Sequence, residues 1–254
     1  MSNAFIKKKT RELFLLNQFT TAANIPATVT DTNRESPDFE IQLGGKKIGI
    51  EVTELFHPTE HGQISLQARE SITSNIVTSA HNKYEHKGGS PVSVSVVFYS
   101  GRDIRELHRE KTAVALAELI LSLAKKCDKH TTWDNQHDEV NELDAIAYVR
   151  LLHVPDKSLA HWHVAQAGWV APLPKELICN RVAIKNGRLP FYKQQFLENW
   201  LLVVIDGGVP SQFFNMDEVQ SPLIIAHEFD KAYLFRRFPA KIIEIHPFNC
   251  PAYT

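Results

Sequence analysis

The sequence predicts an α/β fold. It reads as a mixed sheet flanked by helices, with a core in the order helix, strand, strand, helix, strand and C-terminal additions. Three observations predict it. The runs Phe39–Leu43 and Ile48–Val52 alternate apolar and polar residues on either side of Gly44-Gly45, which marks a hairpin. Apolar residues then recur at helical spacing over 59–87. A strongly β-forming run, Val92 to Tyr99, follows at once.

Taken in order, Phe5 to Phe19 forms a first helix whose core stripe includes Leu13 and Leu16. In the hairpin, Gly44-Gly45 suits a two-residue turn that needs positive φ. That turn sets residues whose numbers sum to 89 opposite one another, so Phe39 faces Ile50 and Ile41 faces Ile48. The same register puts Asp38 across from Glu51 on the other face. Gly49 beside Glu51 leaves room for a close approach to the backbone. From 59 to 87, Ile64, Ala68, Ile72, Ile76, Ala80 and Tyr84 mark the helix, and Lys87-Gly88-Gly89-Ser90-Pro91 stops it. A right-handed crossover through 63–84 would carry the chain from the hairpin to a central strand at 92–99.

Asp103 to Cys127 reads as a second long helix, carrying Val114, Leu116, Leu119, Ile120 and Leu123. Asp128 to Glu142 is polar and reads as an exposed loop, and Asp144 to Val154 as a strand. Lys175–Ile184 and Phe191–Asn199 look helical. Trp200–Ile205 is fully apolar and bounded by Asp206-Gly207-Gly208, which suits a buried strand. Ala232–Phe238 and Ile242–Ile245 would close the sheet as a hairpin. We read one domain over 1–254, with its core roughly at 5–100 and the remainder, 101–254, extending it.

At 254 residues the chain can bury a substantial core. Three widely spaced cysteines, Cys127, Cys179 and Cys250, argue against a disulfide framework and for free thiols in a reducing cytoplasm. No apolar run reaches the roughly 18 residues of a spanning helix, so no membrane partner is expected. Twenty-eight basic and twenty-nine acidic residues leave no global basic field for nucleic acid, although a local basic groove is compatible with that balance. Lys7-Lys8-Lys9 with Arg11, Lys125-Lys126 and Arg236-Arg237 read as solvated groups rather than DNA contacts. His161-Trp162-His163 sets two imidazoles on one face of a strand, with no third zinc ligand at a recognised spacing. The glycine pairs lack phosphate-loop spacing, and no nucleophile elbow is present.

Opposed carboxylates on adjacent strands are destabilising unless they share a cation. Asp38 and Glu51 therefore suggest a platform for Mg²⁺ or Mn²⁺, which prefer oxygen ligands. Pro37-Asp38, the hairpin and Ile50-Glu51-Val52-Thr53 resemble the PD-(D/E)xK nuclease superfamily, with its restriction-endonuclease-like α-β-β-α-β core. Asp38 matches the first acid and Glu51 the second, while Thr53 stands where the lysine would be. Glu-Val-Thr in place of Glu-x-Lys resembles a variant branch.

The resemblance implies a metal-dependent nuclease hydrolysing phosphodiester bonds of DNA, in defence or mobile-element biology. Asp38, Glu51 and the Val52 carbonyl would hold Mg²⁺ or Mn²⁺. Glu12 on the first helix would add an acid, Lys83 a replacement cation and Gln67 a water-orienting group. Lys185 and Tyr192 resemble a Lys…Tyr pattern recurring ahead of this branch's next strand, with a structural role open. DNA is the expected partner, and a homodimer is left open. The alternative is a catalytically impaired nuclease fold that binds nucleic acid or protein.

Overall fold

A computed structural model describes residues 3–59, 62–99, 104, 108–126, 129–134, 143–165 and 170–248. The chain separates into two compact units, where the sequence reading expects one domain. The first comprises Met1–His57 and Gly168–Thr254, and the second Pro58–Ala167. In chain order the first unit opens with α1 (Asn3–Ala22), β1 (Thr28–Asp31), β2 (Phe39–Leu43) and β3 (Lys46–Glu54). The second holds α2 (Leu66–His86), β4 (Val92–Phe98), α3 (Arg109–Lys126), β5 (His130–Asp134), β6 (Ile146–His153) and β7 (Trp162–Val164). The first resumes with β8 (Ala171–Pro172), α4 (Lys175–Asn186), β9 (Glu198–Ile205), β10 (Phe214–Asn215), β11 (Leu223–Ile224), β12 (Lys231–Arg236) and β13 (Lys241–His246).

The seven-stranded sheet of the first unit runs β1-β2-β3-β9-β12-β13-β11 and is mixed. Its hairpin has the register expected from the turn: Phe39 pairs with Ile50, Glu40 with Gly49 and Ile41 with Ile48. Gly44 and Gly45 hold φ of 56° and 81°, which a Cβ would oppose. β3 runs parallel to β9, setting Glu51 beside Leu201 and Thr53 beside Val203. β12 lies parallel to β9 and antiparallel to β13, the closing hairpin read from the sequence.

The crossover departs from expectation. The strand beside β3 is β9, reached through α4, whereas β4 belongs to a sheet of the second unit. The side-chain patterns explain the choice. Trp200–Ile205 is apolar at every position and suits a strand covered on both faces, while Ser93 and Ser95 give β4 one polar face. In β9 the alternation divides the core. Trp200, Leu202 and Val204 join Leu15, Leu16 and Phe19 of α1 and Phe39, Ile41, Ile48, Ile50 and Val52 of the hairpin. Leu201, Val203 and Ile205 join Ile178 and Val182 of α4, with Leu189 and Tyr192 beyond it.

Gly49 differs from expectation too. A Cβ there would come 2.7 Å from Pro37 Cγ and 2.8 Å from Phe196 Cδ2, so rings of the chain itself fill the space. Phe191–Asn199 is not one helix. Short 3₁₀ turns cover Leu189–Phe191 and Lys193–Gln195, and β9 begins at Glu198. Pro190 lies in the first of these turns and cannot donate to a continuous helix.

In the second unit the sheet order is β5-β6-β4-β7. Val92, Val94 and Val96 pack with Ile76, Ala80 and Tyr84 of α2 and with Leu116 and Ile120 of α3. β5 falls inside the segment read as a loop. Thr131, Thr132 and Trp133 are β-forming, and the strand pairs with β6. Residues 135–142 of that segment lie outside the described residues, as do Cys127 and Cys250; Cys179 is a free thiol. His161 and His163 stack with ring centroids 5.3 Å apart on one face, as the strand alternation predicts. Among the described residues no helix is long and apolar enough to cross a membrane.

Candidate active site

The site forms where α1, the hairpin and α4 meet in the first unit. Its acids are buried: Asp38 is 5 %, Glu51 3 % and Glu12 6 % exposed. β2 and β3 position the first two. Asp38 immediately precedes β2, and its Oδ2 accepts the Val52 N–H of β3 at 3.0 Å. That bond orients the carboxylate across the hairpin toward the strand that carries Glu51. Val52 is buried on the α1 side, so alternation turns its neighbours Glu51 and Thr53 toward α4. Glu12 comes from α1, three residues beyond Lys9 and therefore on the same helical face.

Two lysines enter among these acids. Lys9 Nζ lies 2.8 Å from Asp38 Oδ1 and 3.1 Å from the Asp38 carbonyl oxygen. It is also 3.6 Å from Glu12 Oε2 and rests 4.8 Å from the centroid of the Phe39 ring. Lys185 Nζ, from the last turn of α4, donates to Glu51 Oε1 at 2.5 Å. Ile178, Val182 and Lys185 follow the i, i+4, i+7 spacing, so the face that buries the two apolar residues also aims Lys185 at the sheet.

The electrostatics mark the site as strained toward neutrality. Burial, and then the charge of Asp38, raise the Glu51 carboxyl above its ordinary value, while Lys185 opposes the shift. Burial and Asp38 raise Glu12 in the same way, against Lys8 and Lys9. The Tyr192 phenol is raised above its ordinary range by burial, with Glu51 and Asp38 adding to the effect. Three buried atoms here have no hydrogen-bond partner: Glu51 Oε2, Glu12 Oε2 and the Tyr192 hydroxyl. Unpaired buried polar atoms cost free energy, so each of these oxygens has capacity for a further partner.

The donor set is all oxygen. A carboxylate has about four lone-pair positions, so Asp38 keeps capacity beyond Lys9 and Val52, and Glu51 Oε2 is free of hydrogen bonds. This chemistry suits a hard divalent cation. Among the described residues no group of three His, Cys, Asp or Glu side chains is placed to hold a metal ion. A cation at Asp38 and Glu51 would need the Val52 carbonyl or water to complete its shell.

A second polar network ties α1 to the ends of the central strands. Arg11 donates to Glu54 Oε2 at 2.6 Å and to Asp206 Oδ2 at 2.9 Å, and Arg237 also binds Asp206. Gln212 Nε2 reaches Glu54 Oε2 at 3.1 Å. The network fixes the helix that carries Lys9 and Glu12 against β3 and β9.

Of the residues singled out from the sequence, the structure brings Glu12, Asp38, Glu51, Val52 and Thr53 into one region of the first unit. Gln67 and Lys83 belong to the second unit, where Gln67 is exposed and Lys83 pairs with Glu110 at 2.6 Å. The helix leading to the strand beside β3 is α4, so the cation at Glu51 is Lys185. Lys9 belongs to a run that reads as solvated in the sequence, and the structure instead packs it against Asp38. The available signal was spacing: Lys9, Glu12, Leu16 and Phe19 share one stripe of α1. Comparison with protein-family models, curated proteins and solved structures finds no match for the chain.

Proposed function

We propose that this chain is a divalent-metal-dependent nuclease of the PD-(D/E)xK type that hydrolyses phosphodiester bonds of DNA. Lys185 stands in for the motif lysine that Thr53 replaces. The observation that carries the reading is the Lys185–Glu51 contact of 2.5 Å on the strand that follows Asp38. The element order supports it. α1, β2, β3, α4 and β9 run helix, strand, strand, helix, strand, with the second unit inserted between β3 and α4. With α4 as the crossover, this is the order expected of a restriction-endonuclease-like core, with β1 added before the hairpin and β8 before α4.

Mg²⁺ or Mn²⁺ held by Asp38, Glu51 and the Val52 carbonyl would supply an acidified water and stabilise charge building on the phosphate. The residues of the chain do the rest. Asp38 is held in orientation by the Val52 N–H. Lys185 has three N–H donors, and Glu51 occupies one. The others can neutralise a phosphate oxygen or orient the attacking water. Thr53 can donate one hydrogen bond without charge. The Tyr192 phenol, kept un-ionised, remains a donor throughout the neutral range.

The test incubates supercoiled plasmid and single-stranded DNA with the protein in Mg²⁺ or Mn²⁺, beside Asp38→Ala and Glu51→Ala. Cleavage that both substitutions abolish is expected. Cleavage that survives both would remove these acids from the mechanism. No cleavage by any of the proteins, with no heat of cation binding, would replace the nuclease with a binding module of the same fold.

A further inference from the structure

We propose that Lys9 is a built-in cation that occupies the position a second metal ion would take between Asp38 and Glu12, limiting the site to one divalent ion. The inference rests on the metal-dependent reading above and specifies its stoichiometry. Two-metal phosphodiesterases place their ions about 3.5–4 Å apart, bridged by shared oxygens. Asp38 is the acid such ions would share here: its Oδ2 accepts from the Val52 N–H, next to Glu51, while its Oδ1 and Glu12 Oε2 both border the Lys9 ammonium. On the Glu51 side, Oε2 is buried with no hydrogen-bond partner. On the Glu12 side Oε2 also lacks a hydrogen bond, but an ammonium stands between it and Asp38. Three oxygens surround the Lys9 ammonium: Asp38 Oδ1 at 2.8 Å, the Asp38 carbonyl at 3.1 Å and Glu12 Oε2 at 3.6 Å.

Lys9 is well placed to stay there. Its side chain is 11 % exposed, and its ammonium also lies against the Phe39 ring. Leaving would strand Asp38 and Glu12 as buried carboxylates with a weaker supply of positive charge. The other cation near Glu12, Lys8, is 3.4 Å from its Oε1 and 69 % exposed. A second divalent ion would have to displace a buried ammonium from two carboxylates at once. An ion at Glu51 meets one ammonium, Lys185, which holds Oε1 alone and leaves Oε2 without a hydrogen bond.

The experiment titrates MnCl₂ into the whole chain by calorimetry and counts bound ions by Mn²⁺ electron paramagnetic resonance, for the wild type, Lys9→Met, Lys9→Arg and Glu12→Gln. One ion is expected for the wild type, Lys9→Arg and Glu12→Gln. Two are expected for Lys9→Met, which keeps the length of the side chain and removes its charge. Two ions on the wild type would overturn the proposal, as would a single ion, whatever its affinity, on folded Lys9→Met. If Lys9→Met does not fold, loss of the single ion in Glu12→Gln would overturn it instead, because that ion would then sit on the Glu12 side. No ion on any protein would refute the metal-dependent reading itself, which a failure of Lys9→Met alone would leave standing.

Discussion

Lys185 Nζ lies 2.5 Å from Glu51 Oε1, although 134 residues separate the two in the chain. The contact places a buried ammonium on the acid that the hairpin turns toward α4. It also leaves the other oxygen of that acid without a hydrogen bond.

Glu51→Gln should stabilise the ligand-free protein at neutral pH. The raised carboxyl shows that the folded site disfavours the charged form even beside Lys185. A glutamine keeps an oxygen that can accept from Lys185. A gain of about 1 kcal/mol would appear as a Tm rise of roughly 2–4 °C in a chain of this size. Thermal unfolding without divalent ions measures it, and a clear fall in Tm would show that the Lys185–Glu51 ion pair is net stabilising.

Cation affinity should weaken in acid. Because the folded Glu51 carboxyl is raised above its unfolded value, the folded protein holds a proton where the unfolded chain has lost it. In the ligand-free protein the stability contribution is therefore favourable below the unfolded value, and it is lost as pH rises through the folded one. A cation must displace that proton. Mn²⁺ affinity should then fall about tenfold per pH unit below the folded pKa, as for any single proton exchanged for metal. Titrations from neutral pH down into the carboxylate range test this, and an affinity that does not fall in acid would exclude Glu51 as the ligand that titrates.

Tyr192→Phe should leave stability unchanged or slightly higher, because the hydroxyl it removes is buried without a partner. If the phenol donates to the reacting phosphate or water, cleavage should fall by about 10–100-fold, somewhat less than for a lost oxyanion donor. Equal activity with equal stability would make Tyr192 a packing residue. Denaturant unfolding and initial cleavage rates read the two separately.

Gly49→Ala should destabilise the first unit by roughly 1–3 kcal/mol, the cost of overpacking a tight contact. The new Cβ would meet Pro37 and Phe196 within 3 Å on neighbouring segments. Urea midpoints at constant m test this, and a neutral result would mean that the loop carrying Phe196 yields without cost.

The hairpin was legible because its causes are local. Two glycines set the turn, the turn sets the register, and the register follows Phe39, Ile41, Ile48 and Ile50 to one face. The crossover was not, because both candidate strands are β-forming and the nearer one in sequence is β4. The distinguishing mark was present in the side chains, Ser93 and Ser95 against the unbroken run Trp200–Ile205. Choosing β9 required accepting an insertion of the length of the second unit. The two lysines were hidden for a related reason. Charge suggests an exposed position, yet Lys9 and Lys185 fall on the buried stripes of α1 and α4, while Ile184 on the outer side of α4 is 56 % exposed. The Arg11–Glu54–Asp206 network joins residues from three distant segments, and no local spacing announces it.

The most direct test of the central claim is the rate of Mg²⁺-dependent plasmid cleavage by Lys185→Met, made under conditions where cation binding is measured in parallel. Lys185→Met should lose at least about 100-fold, the scale of removing one charged donor from a transition state. Cation binding should be retained, and Thr53→Val should cleave within a few-fold of the wild type. Cleavage by Lys185→Met at the wild-type rate would contradict the assignment of Lys185 as the replacement for the missing lysine.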